Sequence, residues 1–366
     1  MSAKNMTKAL SARAKALART ALRPLPLDFW ERLFPKDLIA LCYHVVSDER
    51  LPHVRLSPYK NIKQFEDDLK FVAARTVSYR QVVEHRLGNR PLPPNSVLIT
   101  FDDGFAECYD VVRPALLKHG VDAVFFVPTE FVDDRTPFFE CALSLGIDRI
   151  MALSNERAAG LLGVLGIDNP SLKRSPKRYQ RAVSRLRESR IAAGPDEPKG
   201  TLLLWLLGAE AGEPEIERAC ALLEVNLKAF AARRPLFMSS KQVRQLAADG
   251  FTVGAHGLNH RSLEGRDPGA IEAEIVASCE AVRAISGQAR VPFAFPYRGL
   301  GVDRGILRGV LQRNRDVELI FDSGCLRRDA EFVVNRVFTD APPRTPESNV
   351  PSALRSAWST PSAWFR

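Results

Sequence analysis

Nowhere does the chain hold 18 consecutive apolar residues, so no segment reads as a bilayer-spanning helix. The longest apolar run, LLLWLLGA over 202–209, is too short to cross and reads as a buried helix. No C-x-x-C pair occurs. Cys42, Cys108, Cys141, Cys220, Cys279 and Cys325 stand singly, which argues against a zinc ribbon or a disulfide framework and favours a reducing compartment. Acidic side chains are outnumbered, 43 against 52 basic, and the formal charge of +9 favours an anionic partner. The basic stretches lack aromatic interleaving or a known binding module, so nucleic acid is not the expected partner. Internal repeats and low-complexity tracts are absent. Histidine is scarce, with 6 in 366 residues, which makes any clustering of imidazoles informative.

What is present has a clear rhythm. At 45% apolar the chain can bury a large α/β core. DLIALCYHVV (37–46), SVLITFDDG (96–104) and VDAVFFVPT (121–129) read as strands, separated by helical spacing over 62–74 and by CYDVVRPALLKHG (108–120) with its terminal glycine. The alternation resumes with SSKQVRQLAADG, the strand FTVGAH (251–256), a long helix over 267–287, and the strands VPFAFPY (291–297) and VELIFDSG (317–324). This βα order predicts a parallel sheet. Between the two runs, 137–236 reads as a helical insertion folded over the barrel face. Its segment 173–190 carries eight Lys or Arg and one Glu, read either as a solvated helix face or as a surface for an anionic substrate or lipid headgroup. The expected organisation is a basic N-terminal tail over 1–35, a first barrel part over 36–136, the insertion over 137–236, a second barrel part over 237–340, and a flexible C-terminal tail over 341–366.

Segment 1–23 has Lys4, Lys8, Arg13, Lys15, Arg19 and Arg23 and no acidic residue, and lacks the uninterrupted apolar core of a secretory signal. A cytoplasmic protein is expected. Leu10, Ala14, Leu17 and Ala21 fall at helical spacing, which permits peripheral contact with an anionic membrane face.

In parallel α/β folds, chemistry collects at the carboxyl ends of strands. His44, the pair Asp102 and Asp103, His256 with His260, and Asp322 all fall there. In AHGLNH, His256 and His260 can offer two imidazoles to one metal, with a carboxylate as third ligand and a water position left open. The two adjacent aspartates then divide labour, one as ligand and one as general base.

TFDDG (100–104), HGLNH (256–260) and FAFPY (293–297) together resemble the NodB-homology polysaccharide deacetylases, and LCYHVV resembles the first strand of one branch of that family. The resemblance covers about 37–135 and 236–340. It implies a distorted (β/α) barrel and a metal-dependent hydrolase that removes the N-acetyl group of an amino sugar within a glycan or a carrier-linked precursor. It further implies a divalent metal, most often zinc, held by Asp103, His256 and His260, with Asp102 as base and the Tyr297 backbone N–H at the oxyanion. Four positions depart from the family pattern. Gly257 and Arg261 stand where Ser or Thr and Pro are usual, Ala294 stands in the apparent place of an arginine, and no histidine follows His260. Arg336 lies near the place of that missing histidine, and either His44 acts as acid in its stead or protonated Asp102 returns its proton to the amine. A non-sugar amide as substrate, or a glycan-binding role with weak turnover, are the alternatives.

Overall fold

A computed structural model describes residues 25–57, 59–168, 175–189, 191, 197–210, 214–340 and 349–358. The amphipathic N-terminal spacing and most of segment 341–366 lie outside the described residues. Two compact units emerge: described residues of 1–48, 59–133 and 237–366 form one, and those of 49–58 and 134–236 form the other.

The first unit is a closed parallel barrel of seven strands in sequential order. These are β1 (Leu38–Tyr43), β2 (Ser96–Phe101), β3 (Ala123–Val127), β4 (Thr252–Ala255), β5 (Val291–Ala294), β6 (Val317–Asp322) and β7 (Val333–Phe338). The strands are almost wholly buried, as expected of a parallel sheet covered by helices. Outward residues stack across neighbouring strands, with Tyr43 on Phe101 and Phe101 on Phe125, under Phe65 of helix Ile62–Val72. Inside, small residues make room for large ones. A Cβ on Gly254 would stand 2.4 Å from the Phe126 ring, so β4 carries none there. The helix Cys108–Val112 is a π-helical turn that runs into the α-helix Arg113–His119, closed by Gly120 at φ 61°.

The distorted (β/α) barrel inferred from the sequence is thus present, with one strand that the sequence reading had not assigned. β7 pairs with both β6 and β1 and closes the ring. Two further differences concern the ends. Leu27–Leu33, read as part of a basic tail, is a helix with Trp30 buried, and Val350–Trp358, read as part of a flexible tail, is a helix with Val350, Leu354 and Trp358 buried. Spacing explains both, since each helix places apolar residues three or four apart, and Trp358 donates its indole N–H to the Phe34 carbonyl. The backbone N–H of Val350 also donates to Asp68, a buried carboxylate paired with Lys60 and with the Tyr43 hydroxyl.

The second unit is helical and is built around Pro198–Leu207, in which every residue from Gly200 to Leu207 is buried. A helix apolar on all sides needs partners on all sides, and Phe139–Ala152, Asn155–Leu165 and Pro176–Ser189 supply them. The last of these carries much of the basic segment. Three of its arginines are engaged within the unit, where Arg181 donates to the Gly208 carbonyl, Arg185 to those of Leu207 and Ala209, and Arg178 to that of Trp205. They satisfy the carbonyls left open at the end of the central helix and suit its negative dipole end. A structural role therefore accounts for these three charges.

His53 is also in this unit, 1% exposed and packed on Phe230. Burial, with the charge of Arg234 adding to it, lowers its pKa from 6.5 to about 4. The unfolded chain thus binds a proton that the folded one refuses. Stability is full above about pH 6.5 and is lost as pH falls toward 4, by up to about 3 kcal/mol. Urea unfolding followed by Trp205 fluorescence is expected to show this loss, and His53→Gln is expected to flatten it.

Candidate active site

Each chemistry-bearing residue sits at or just past a strand end, so the barrel places them on one rim. In register, Tyr43 of β1 faces Phe101 of β2, which sets His44 beside Asp102. Asp103 then turns into the left-handed region at φ 68°, followed by Gly104 at φ 69°. The reversal sends the two neighbouring carboxylates to different partners. A Cβ on Gly104 would stand 3.0 Å from Val127 Cγ1, so the turn is also packed tightly against β3.

Asp102 faces the barrel interior and meets Arg336 of β7. The guanidinium donates Nη1 to Oδ1 at 2.6 Å and Nη2 to Oδ2 at 2.7 Å, a two-pronged pair 2–3% exposed. Nη1 also donates to the Thr100 hydroxyl, and the cation lies over the rings of Phe126 and Phe321. The Cys42 thiol adds a weak third donor to Asp102 at 3.4 Å, and burial pushes that thiol's pKa up, so it stays protonated. Burial by itself would raise the carboxyl pKa of Asp102, but the charge of Arg336 and its hydrogen bonds outweigh it and the net shift is downward. Asp102 is held ionised.

Asp103 points the other way, with Oδ1 3.1 Å from His260 Nε2 and 3.5 Å from His256 Nε2. The His256 ring is fixed at its far side, where Nδ1 lies 2.9 Å from the Ala294 carbonyl. A carbonyl only accepts, so Nδ1 carries the proton and the neutral ring presents a bare Nε2 lone pair to the cluster. Among the described residues, the buried Asp103 Oδ1 accepts no well-aligned hydrogen bond. Two imidazoles and a carboxylate oxygen within 4.8 Å of one another, with at least one nitrogen lone pair and one unsatisfied anionic oxygen converging, fit a divalent cation. Burial would raise the Asp103 pKa, yet the charge of His260 outweighs it and brings it well below the usual carboxylate range.

His44 stands next to this group. Its backbone N–H and its Nδ1 both lie 2.7 Å from Asp340 Oδ2, just past β7, and its ring stacks on Phe338. Burial would lower the imidazole pKa, but the Asp340 carboxylate raises it from 6.5 to about 10. Tyr297, at φ 60° and 53% exposed, places its ring 4.7 Å from that of His260 at the mouth. Asp322 closes and orients the same loop. It accepts the Gly299 N–H at 2.8 Å and pairs with Arg304, whose guanidinium donates to the Gly299 and Val302 carbonyls.

All seven sequence-derived candidates, Tyr297 and Asp322 included, therefore meet at one rim. Asp340 and the partnership of Arg336 with Asp102 were not legible from motif spacing, because both arise when β7 closes on β1. Removing one side of the Arg336 pair leaves a buried unpaired charge. Arg336→Met is expected to cost about 3–5 kcal/mol by denaturant unfolding, whereas Asp102→Leu combined with Arg336→Met is expected to recover much of that loss.

The polysaccharide deacetylase family profile matches residues 89–160 and 206–308, taking in both the carboxylate pair and the histidine pair. Among curated proteins, no sequence match was found. Similar solved structures include IcaB from Ammonifex degensii, at 17% identity and TM-score 0.48, covering 88% of this chain and 97% of that one. The Streptococcus pyogenes deacetylase PplD in complex with acetate shares 14% identity at TM-score 0.49, covering 86% and 96%. A de-N-acetylase from Aggregatibacter actinomycetemcomitans shares 15% at 0.47, covering 85% and 97%. Over these two segments the chain matches the polysaccharide deacetylase family, carbohydrate esterases that act on amide bonds.

Proposed function

We propose that the protein is a metal-dependent N-deacetylase that hydrolyses the N-acetyl group of an amino sugar within a glycan or a carrier-linked glycan precursor. One observation carries the reading. Adjacent carboxylates are split between a guanidinium and a pair of imidazoles, so one is free of the ligand cluster and the other belongs to it. A non-catalytic metal site has no need for the first. Asp103, His256 and His260 would hold the ion. A divalent cation there, zinc by its two-nitrogen, one-oxygen donor set, would supply Lewis acidity to the acetamide carbonyl and to water.

The remaining work falls to the chain's own side chains. Asp102, ionised and oriented by Arg336, takes a proton from the attacking water as the new C–O bond forms. The Tyr297 backbone N–H, on a loop secured by Asp322 and Arg304, donates to the developing oxyanion. His44, protonated against Asp340, gives a proton to the departing amine as the C–N bond breaks. Acetate and a free amino sugar result. The His44–Asp340 pair supports the acid role inferred for His44, since no later histidine exists to fill it. The net charge of +9 favours a substrate that bears phosphate or another anion, and contact with an anionic membrane face belongs to the same proposal.

The test is acetate release from N-acetylglucosamine oligomers and from lipid- or nucleotide-linked N-acetyl sugars. Chelation is expected to abolish release and zinc to restore it. Asp102→Asn is expected to lower kcat by roughly 10²–10⁴-fold with zinc still bound, and His44→Gln to lower kcat with little change in zinc affinity. Unchanged turnover in Asp102→Asn would contradict the assignment.

A further inference from the structure

Gly257 follows the first histidine of the cluster at φ +71°, in the turn that brings His256 and His260 together. Two obstacles bar a side chain there. A Cβ would lie 3.1 Å from Glu274 Oε1 and 3.3 Å from Pro296 Cγ, on top of the unfavourable backbone conformation. Glu274 has reached into that space from helix Pro268–Ser286, the connection between β4 and β5. Its Oε1 accepts the backbone N–H of Leu258 at 2.8 Å, its side chain is 11% exposed, and Arg266 lies 3.7 Å from its other oxygen. On the opposite side, the N–H groups of Thr129 and Glu130, just past β3, donate to the carbonyls of Gly257 and Leu258 at 3.1 and 2.8 Å.

The turn is therefore gripped from two directions, its carbonyls by β3 and its amide by a charged side chain from a crossover helix. Only the second grip uses a side chain, so only it can be removed by substitution. An ionised acceptor for a backbone amide is stronger than a neutral one and tolerates less displacement. The hold matters because His260 sits in the left-handed region at φ 56°, a minority conformation for a residue with a Cβ, which contacts around the turn help to keep.

We propose that Glu274 is a positioning residue for the His256–His260 ligand pair, fixing the turn before any ion arrives and so raising the affinity of the site. This rests on the metal-site reading above for its consequence, though not for the anchoring itself.

The experiment compares Glu274→Met, which keeps the length and helical preference of the side chain but has no strong acceptor, with Glu274→Gln, which keeps the acceptor without the charge. Two quantities are read: zinc affinity by competition with a chromogenic chelator, and hydrogen exchange of the 256–260 backbone in metal-free protein. In Glu274→Met we expect zinc affinity to fall ten- to hundredfold and the Leu258 amide to exchange faster, with the cooperative unfolding transition kept. Glu274→Gln is expected to restore most of both. Wild-type zinc affinity and exchange in Glu274→Met would overturn the proposal. So would global loss of fold in that variant, since the contact would then serve the barrel rather than the turn. If wild-type protein itself bound no zinc, the proposed function would fall, and unchanged Leu258 exchange in Glu274→Met would still decide against the anchor.

Discussion

The pairing of Arg336 with Asp102 governs the organisation of the rim. Two ionised carboxylates on consecutive residues repel, and burying both is costly unless each has a dedicated counter-charge. Arg336 satisfies the first with two hydrogen bonds, and the left-handed turn at Asp103 carries the second to the histidines. The cation itself would be intolerable in an apolar barrel without company. Asp102, Thr100 and the faces of Phe126 and Phe321 supply it. Its position on β7 explains how a chain with Ala294 in the apparent place of the family's arginine still presents a guanidinium to Asp102. The Ala294 carbonyl, meanwhile, fixes the His256 tautomer.

Around that pair the barrel is a rigid frame for a rim that is locally strained. Asp103, His260 and Tyr297 all have positive φ, which is uncommon for any residue with a Cβ and least favourable here for the bulky Tyr297. Such conformations persist where neighbouring backbone is over-determined. Here the determinants are visible as hydrogen bonds from one strand end to the next: Met238 N–H to the Gly104 carbonyl, Thr129 to Gly257, His256 N–H to Val127, and Phe295 N–H to Phe321. The site is therefore largely shaped before substrate enters, which is the arrangement electrostatic catalysis requires.

Much of this was readable in the chain. TFDDG and HGLNH follow runs of β-favouring residues, and a strand that ends in charge announces a rim. The six assigned strands and the six strand-end candidates followed from that logic, while Tyr297 came from the family resemblance. What escaped it was long-range. Arg336 meets Asp102 across 234 positions, and Asp340 meets His44 across 296, pairings that depend on barrel closure and leave no trace in local spacing. β7 itself, VVNRVF, interrupts its apolar run with Asn335 and Arg336, the latter being the inward cation that makes the strand useful. Glu274 carries no mark in the sequence that sets it apart from the other charges of its helix. The basic segment over 173–190 invited a ligand, but three of its arginines close a helix end, a local electrostatic task that composition cannot distinguish from binding.

Among the described residues, two clusters of potential ligands lie on the rim: Asp103 with His256 and His260, and Cys42 with His44 and Asp102. The metal belongs in the first, and a protonated acid and an Arg-bound base in the second. Anomalous scattering from crystals grown with zinc distinguishes them directly. The predicted peak lies about 2.0–2.2 Å from Asp103 Oδ1 and the Nε2 atoms of His256 and His260, with Asp102 still on Arg336. A peak bound by Cys42, His44 and Asp102, or zinc that draws Asp102 away from Arg336, would contradict the division of labour between the two aspartates.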